Sequence, residues 1–413
     1  MTQQFADGQR IVLRPGLVID GRSDAPRRDL EIVIEDGTIV ALRSARPSAP
    51  QDATVVELPE TTVLPGLIDC HVHYTIDPSL DVQGIARGAV EPPERAVLIG
   101  ARNARRALSA GVTTARSAGA SRSLDISLAA AIAAGDVPGP RLIPSGAAVT
   151  ITGGHGQHFG IQVDSIDGMI TAVRALARDG ALVIKLVASE AAMLTTGLAG
   201  VQELTTEEMS AMSREARRLG LRVLVHAQSS PAVAAAAEAG VDSIEHAFLA
   251  DEAALQSLKD SGAFLTPTLT VTDVYSRMPG LTAEVTRRQA EISAKHRAAC
   301  EMAIRMGIPV VTGTDCGVRG VFPDMIAREI ALLHDHGLEV MDAIRAATVN
   351  AARLLGLSDE IGMVEAGMRA DLIAVPGDPT ADLRRLAQTL LVMRHGVIVH
   401  KPEQTPVGTR EYS

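Results

Sequence analysis

Eight short apolar runs follow one another through the middle of the chain, with helical stretches between most of them. They are VLPGLIDCHVH, GVTTARS, PRLIPSGAAV, ALVIKLVAS, LRVLVHA, VDSIEHA, AFLTPTLTV and IPVVTGTD. Runs of this length and β-branched content read as buried strands, and the intervening TTEEMSAMSREARRLG and SPAVAAAAEAG read as helices. Several helices hand over to the next strand at a glycine (Gly111, Gly220, Gly240, Gly307), the residue that most easily takes a left-handed C-cap. Eight strands alternating with helices predict an α/β fold, a (β/α)₈ barrel of parallel strands, and no dinucleotide fingerprint opens the first strand–helix turn.

Such a barrel takes about 250 residues, and the chain has 413. The surplus lies at both ends. The first sixty residues alternate short β-type runs with turns, as in IVLRPGLVID and DLEIVIEDGTIVAL, and the last fifty return to that texture in GMRADLIAVPGDP and LLVMRHGVIVHKP. The expected organisation is therefore a small β-sandwich assembled from both termini, residues 1–62 and 365–413, around a barrel of residues 63–364.

Composition narrows the function classes. Hydrophobic residues make up 46% and charged residues 21%, which is globular, while aromatics are 2% with no Trp, so the core must be aliphatic. A net charge of −10 argues against nucleic acid, whose phosphates reward basic surfaces. Three scattered cysteines make no disulfide framework. MTQQFADGQRIVLRPG has no apolar signal region, and no apolar run reaches the length of a membrane span, so a cytoplasmic protein without membrane contact is expected. A homo-oligomer acting on a small molecule is the expected setting.

The chemistry-bearing residues fall at the C-terminal ends of the predicted strands, the end at which barrel enzymes build their sites. His71 and His73 end the first strand, two residues apart and so on one face. Lys185 lies inside the fourth strand, where an ammonium flanked by Val183, Ile184, Leu186 and Val187 is expensive to bury. His226 ends the fifth, His246 the sixth and Asp315 the eighth. Singly, each has a bland reading as a surface, snorkelling or turn residue. Together they form a donor set suited to zinc or a related divalent ion. Two ions fit if an anionic group bridges them, as Lys185 would after adding CO₂ to become a carbamate. A bridging hydroxide would be nucleophilic at neutral pH, and Asp315 would relay its proton to a leaving amine.

At these residues the chain resembles the amidohydrolase superfamily. More narrowly, GPRLIPSGAAVTITGGHG, IEHA, TPTL and AATVNAARLLGLSDEIGMVEAGMRADLIAV are similar to its imidazolonepropionase-like and prolidase-like members. The resemblance implies two divalent metal ions, zinc being expected. His71, His73 and Asp315 would bind the more buried ion and His226 and His246 the second, with carboxylated Lys185 between them. It also implies hydrolysis of an amide bond in a dipeptide, an N-acyl amino acid or a related small amide. His155, in TGGHG, matches a substrate-contacting position.

Two departures bear on substrate. Gln228 stands where prolidase-like relatives often carry a tyrosine, and Ala188-Ser189-Glu190-Ala191 replaces their Ala-Thr-Gly-Gly. Arg319, just past Asp315, is the candidate anchor for an anionic group. His296, His334, His336, His395 and His400 are expected at the surface, and Cys70 and Cys316 in packing. The competing readings are a mononuclear deaminase or cyclic-amide or carbamate hydrolase, against which Lys185 counts, and a non-enzymatic assembly protein, against which the complete donor set counts.

Overall fold

The computed structural model of the protein describes residues 10–46, 53–80, 92–191 and 200–400. The ends of the expected sandwich, 1–9 and 401–413, lie outside the described residues. The chain opens with β1 (Arg10–Val18), β2 (Leu30–Glu35), β3 (Thr38–Ser44) and β4 (Ala53–Pro65). β2 and β3 form a hairpin whose two-residue turn is Asp36-Gly37, both with positive φ, as an Asp-Gly turn matching strand twist requires. β1 pairs antiparallel with β2 and parallel with β4.

One glycine separates β4 from the barrel. Its strands are β5 (Leu67–Val72), β6 (Val112–Ser117), β7 (Arg141–Ile143), β8 (Val149–Thr150), the short β9 (Ile161–Gln162), β10 (Val183–Val187), β11 (Arg222–Ser229), β12 (Ser243–Leu249) and β13 (Phe264–Thr266). Every ladder among them is parallel. The third predicted run is split into β7 and β8, because the chain turns at Gly146 with φ 70°. The Pro144 carbonyl between them still accepts the Leu182 N–H, which carries the sheet across to the next strand. The eighth run, residues 309–316, is too irregular for a ladder yet closes the ring. Its Pro309 carbonyl accepts from Leu265 and Val311 donates back to Leu265, while Thr312 accepts from Cys70 and Asp315 donates to the His71 carbonyl.

Helices such as Pro93–Ser109, Thr206–Arg218 and Ala283–Arg305 cover the outside. Helix Thr206–Arg218 starts on a full capping box between Thr205 and Glu208. No helix among the described residues is long and apolar enough to cross a membrane.

The chain then returns through β14 (Leu372–Pro376), β15 (Leu391–Arg394) and β16 (Val397–His400). β14 pairs antiparallel with β4, so strands from both termini make one seven-stranded sheet, ordered β16-β15-β14-β4-β1-β2-β3. Alternate residues of its strands, among them Ile11, Leu13, Ile32, Ile34, Leu372 and Met393, pack as a core separate from that of the barrel.

Candidate metal centre

The barrel interior decides which side chains meet. In β11, Leu224, His226 and Gln228 share one face, and in β10 Lys185 shares its face with Val183 and Val187, so each strand sends its polar residues inward above an apolar floor of Val183 and Leu224. β5 does the same with Asp69, His71 and His73, while Cys70 faces outward into the apolar cluster with Val311 and Leu354. Cys316 is likewise buried in apolar packing.

β12 breaks the alternation. Ser243 and Glu245 point inward, yet so does His246, because His246 and Ala247 take left-handed φ values of 78° and 51° and the β11–β12 register shifts there. Asp315 is left-handed as well, with φ 58°. Strained non-glycine residues of this kind cluster at functional sites. The glycines flanking Asp315 make the packing feasible: a Cβ on Gly313 would lie 2.8 Å from the His71 Cβ, and one on Gly317 would lie 2.6 Å from the His73 carbonyl oxygen.

The result is a cavity of about 120 Å³ at the C-terminal mouth of the strands. His71, His73, Lys185, His226, His246 and Asp315 all line it, and all are buried. Asp315 Oδ1 is 3.4 Å from Nε2 of both His71 and His73. Ring centroids are 4.9 Å apart for His71 and His246 and 4.5 Å for His226 and His246. Donor atoms of His71, His246 and Asp315 lie within 4.8 Å of one another. The His226 Nε2 is buried with no hydrogen-bond partner, as a nitrogen reserved for an ion would be.

Outer contacts fix the ring orientations. His71 Nδ1 donates to Glu245 Oε2 at 2.7 Å, and His73 Nδ1 donates to the Gly119 carbonyl at 2.9 Å. His246 Nδ1 lies 2.8 Å from the Thr268 hydroxyl. Glu245 is in turn held by Arg116, whose guanidinium reaches Glu245 Oε1 and Ser243 at 2.9 Å and the Cys70 carbonyl at 2.6 Å. Asp69 accepts from the backbone N–H of His71 and from both the N–H and the hydroxyl of Thr314. Thr268 is set by Glu329, which accepts the N–H groups of Leu269 and Thr270 and so fastens the first turn of helix Leu269–Ser276. Such contacts orient metal ligands and set their tautomers.

Burial, aided by the Lys185 charge beside His71 and by neighbouring imidazoles, holds His71, His226 and His246 well below the usual histidine range. They are therefore neutral, the form that binds metal. Burial brings Lys185 down to about 8, against the opposing pull of Glu245 and Asp315. Burial raises the Asp315 carboxyl, but His71 and His73 outweigh it and leave the group below its ordinary value, a carboxylate.

Three residues were expected at the substrate. His155 lines the cavity half-buried, its ring 4.6 Å from that of His226, and its backbone N–H is held by Glu203 at 2.9 Å. Gln228 lines it too and is buried. Arg319 does not: it is absent from the wall, and its backbone N–H supports the Tyr275 hydroxyl instead. His296 also departs from expectation. Its helix packs inward at that turn, so the ring is buried, 4.2 Å from Phe248 and hydrogen-bonded to Thr272. His334 and His395 are exposed, while His336 and His400 are half-buried.

Sequence reasoning passed over Glu245, Arg116, Asp69, Thr268 and Glu329. Asp69 carried a signal, the i, i+2 spacing to His71. Glu245 was hidden because it adjoins His246, and strand neighbours ordinarily face apart.

Comparison with known proteins agrees with this architecture. The chain is 28% identical over 404 residues to ochratoxinase of Aspergillus niger, covering 90% of this chain and 82% of that one. It is 26% identical to imidazolonepropionase of Deinococcus deserti, covering 88% of each. Among solved structures, a Xaa-Pro dipeptidase with methionine bound in its active site superimposes with a TM-score of 0.87 at 28% identity, over 94% of this chain and 99% of that one. The profile of the amidohydrolase family matches residues 62–399, which is most of the chain and all of its barrel. The protein belongs to the amidohydrolase family and is a hydrolase of carbon–nitrogen bonds.

Proposed function

We propose that this protein is a binuclear metal-dependent hydrolase that cleaves an amide bond of peptide or N-acyl type in a small molecule. The observation that carries the reading is the convergence of four buried imidazoles, one carboxylate and one buried lysine on a single cavity. Histidines whose Nδ1 atoms are tied back and an unpartnered His226 Nε2 suit divalent ions, zinc first among them. His71, His73 and Asp315 would hold one ion, and His226 and His246 the other. Lys185 would join them as its carbamate, a role favoured by an amine whose neutral form is unusually accessible. A pair of such ions lowers the pKa of water and polarises a carbonyl.

The protein's own residues do the rest. Asp315, ionised at neutral pH, takes the proton of the attacking water and delivers it to the leaving nitrogen. His155, at the mouth, stands where a substrate carbonyl would arrive. Burial and the Lys185 charge bring it to about 4, so it meets the substrate neutral. Phe159 lines the same wall, edge-on to His73.

Elemental analysis of protein purified without chelators tests the reading. Two divalent ions per chain and amine release from a panel of small amides are expected. One ion or none, unchanged on reconstitution, overturns the binuclear site. A single ion with deamination of a cyclic substrate would point to the mononuclear alternative.

A further inference from the structure

The chain holds five Phe, three Tyr and no Trp in 413 residues. Two of those Phe and one of those Tyr stand on the wall of the one cavity described above: Phe159, Phe248 and Tyr275. Phe159 lies edge-on to His73 with centroids 5.9 Å apart, and Phe248 lies edge-on to His246 at 5.4 Å. The two rings thus flank different parts of the histidine cluster. Both are seated firmly. Phe248 is backed by His296 at 4.2 Å, and Phe159 lies so near Gly156 that a Cβ there would come within 3.1 Å of its ring. Val271 and Val318 continue the apolar surface.

Charge is the complementary observation. Among the described residues, Lys185 is the one lysine or arginine side chain on the wall, and the metal bridge uses it; Asp315 is the one carboxylate, and the reaction uses that. The remaining hydrogen-bonding side chains besides His155 are the Gln228 amide and the Tyr275 phenol, both uncharged. Burial pushes Tyr275 up to about 12, with Asp315 adding to it, so the phenol keeps its proton. Away from the proposed metal ions, a free carboxylate or ammonium meets no charged side chain among the described residues of this wall, and an unpaired buried ion is costly. A neutral carbonyl or N–H is satisfied by an amide and a phenol. A flat ring gains both apolar burial and edge or offset contacts with Phe159 and Phe248.

We propose that the substrate is an uncharged amide bearing an aromatic group, packed on Phe159 and Phe248, with its neutral polar end read by Gln228 and Tyr275. This rests on the amide-hydrolase reading above and narrows it away from free dipeptides.

The test compares two probes that differ only by a carboxylate, N-benzoyl-phenylalanine and N-benzoyl-phenethylamine, on the zinc-loaded full-length protein. Benzoate release gives kcat/KM for each. A preference of about tenfold or more for the phenethylamide is expected, and equal rates or a preference for the acid overturn the proposal. Gln228→Arg, which puts a cation on the wall, should shift the ratio about tenfold toward the acid. Phe248→Ala should raise KM for the phenethylamide about tenfold with metal content unchanged, because the lost contacts are apolar and aromatic. If zinc is bound at two per chain and neither probe is cleaved, the amide-cleavage reading fails for this bond type, separately from the specificity of the wall. Calorimetry with the same two probes then decides the specificity: tighter binding of the phenethylamide by about tenfold supports it. Equal binding, or no binding of the phenethylamide, overturns it.

Discussion

Glu245 holds the Nδ1 of His71 at 2.7 Å from the floor of the barrel, one layer below the cavity, while Arg116 holds the other oxygen of the same carboxylate at 2.9 Å. The pairing forces His71 into the tautomer that leaves Nε2 free on the Asp315 side.

Glu245→Gln is therefore expected to weaken metal binding without touching a ligand. Loss of such an outer partner typically costs roughly 10- to 100-fold in metal affinity. Competition with a zinc chelator of known affinity measures this, with circular dichroism to confirm the fold. An unchanged affinity would show that the carboxylate serves Arg116 alone.

Lys185→Ala should lose metal and turnover together, because the cavity then lacks the anion proposed to bridge the two ions. Partial recovery is expected when a small carboxylic acid such as propionate fills the space left by the side chain. Full metal and full turnover in the Ala variant would make the lysine a packing residue.

Asp315→Asn keeps the size of the side chain and removes the proposed proton acceptor. kcat should fall by roughly 10²–10⁴-fold, the usual cost of a lost general acid/base, with at least one ion retained. A variant within a few-fold of the parent would take Asp315 out of proton transfer.

Glu329 gives a pH prediction away from the proposed metal ligands. Burial pushes its carboxyl up to about 7 from an ordinary 4.5, against hydrogen bonds from Thr270 and Leu269 that favour the anion. The folded state then binds this proton more tightly than the unfolded chain. Its stabilising contribution is fully present below 4.5 and is lost as pH rises through about 7. Urea denaturation of the parent and of Glu329→Gln from pH 4.5 to 8 should show a difference that declines over this window, by at most about 3 kcal/mol. A flat difference across the window rejects the assignment.

The convergence of side chains was largely legible because strand geometry is periodic. His71 and His73 share a face by spacing alone, and Lys185 among Val183, Ile184, Leu186 and Val187 stands out as a cation expensive to bury. The less legible part lies where backbone departs from periodicity. A left-handed His246 lets two consecutive residues face inward, which hid Glu245. Arg116, in a run read simply as a strand, gives no local sign that its guanidinium spans the barrel floor to Ser243 and Glu245. His296 looked like a helix-surface residue because the sequence does not say which face of Ala283–Arg305 turns toward Phe248. Arg319 shows the converse limit: proximity in sequence to Asp315 does not bring its side chain to the cavity.

The pairing of β4 with β14 places Thr62 opposite Val375. On the ribosome, β1 to β4 emerge about three hundred residues before that partner exists. At the usual pace of synthesis the interval is roughly 15–60 s, during which the β14-facing edge of β4 lacks its hydrogen-bonding neighbour. Open edges of this kind invite pairing with other chains. The half of β4 that waits, TTVLP, runs directly into the strand bearing His71 and His73, so a nascent chain that mispairs there would misplace these two proposed ligands as well. Slowed translation or a missing trigger chaperone should therefore lower the yield of metal-competent protein more than it lowers the yield of protein.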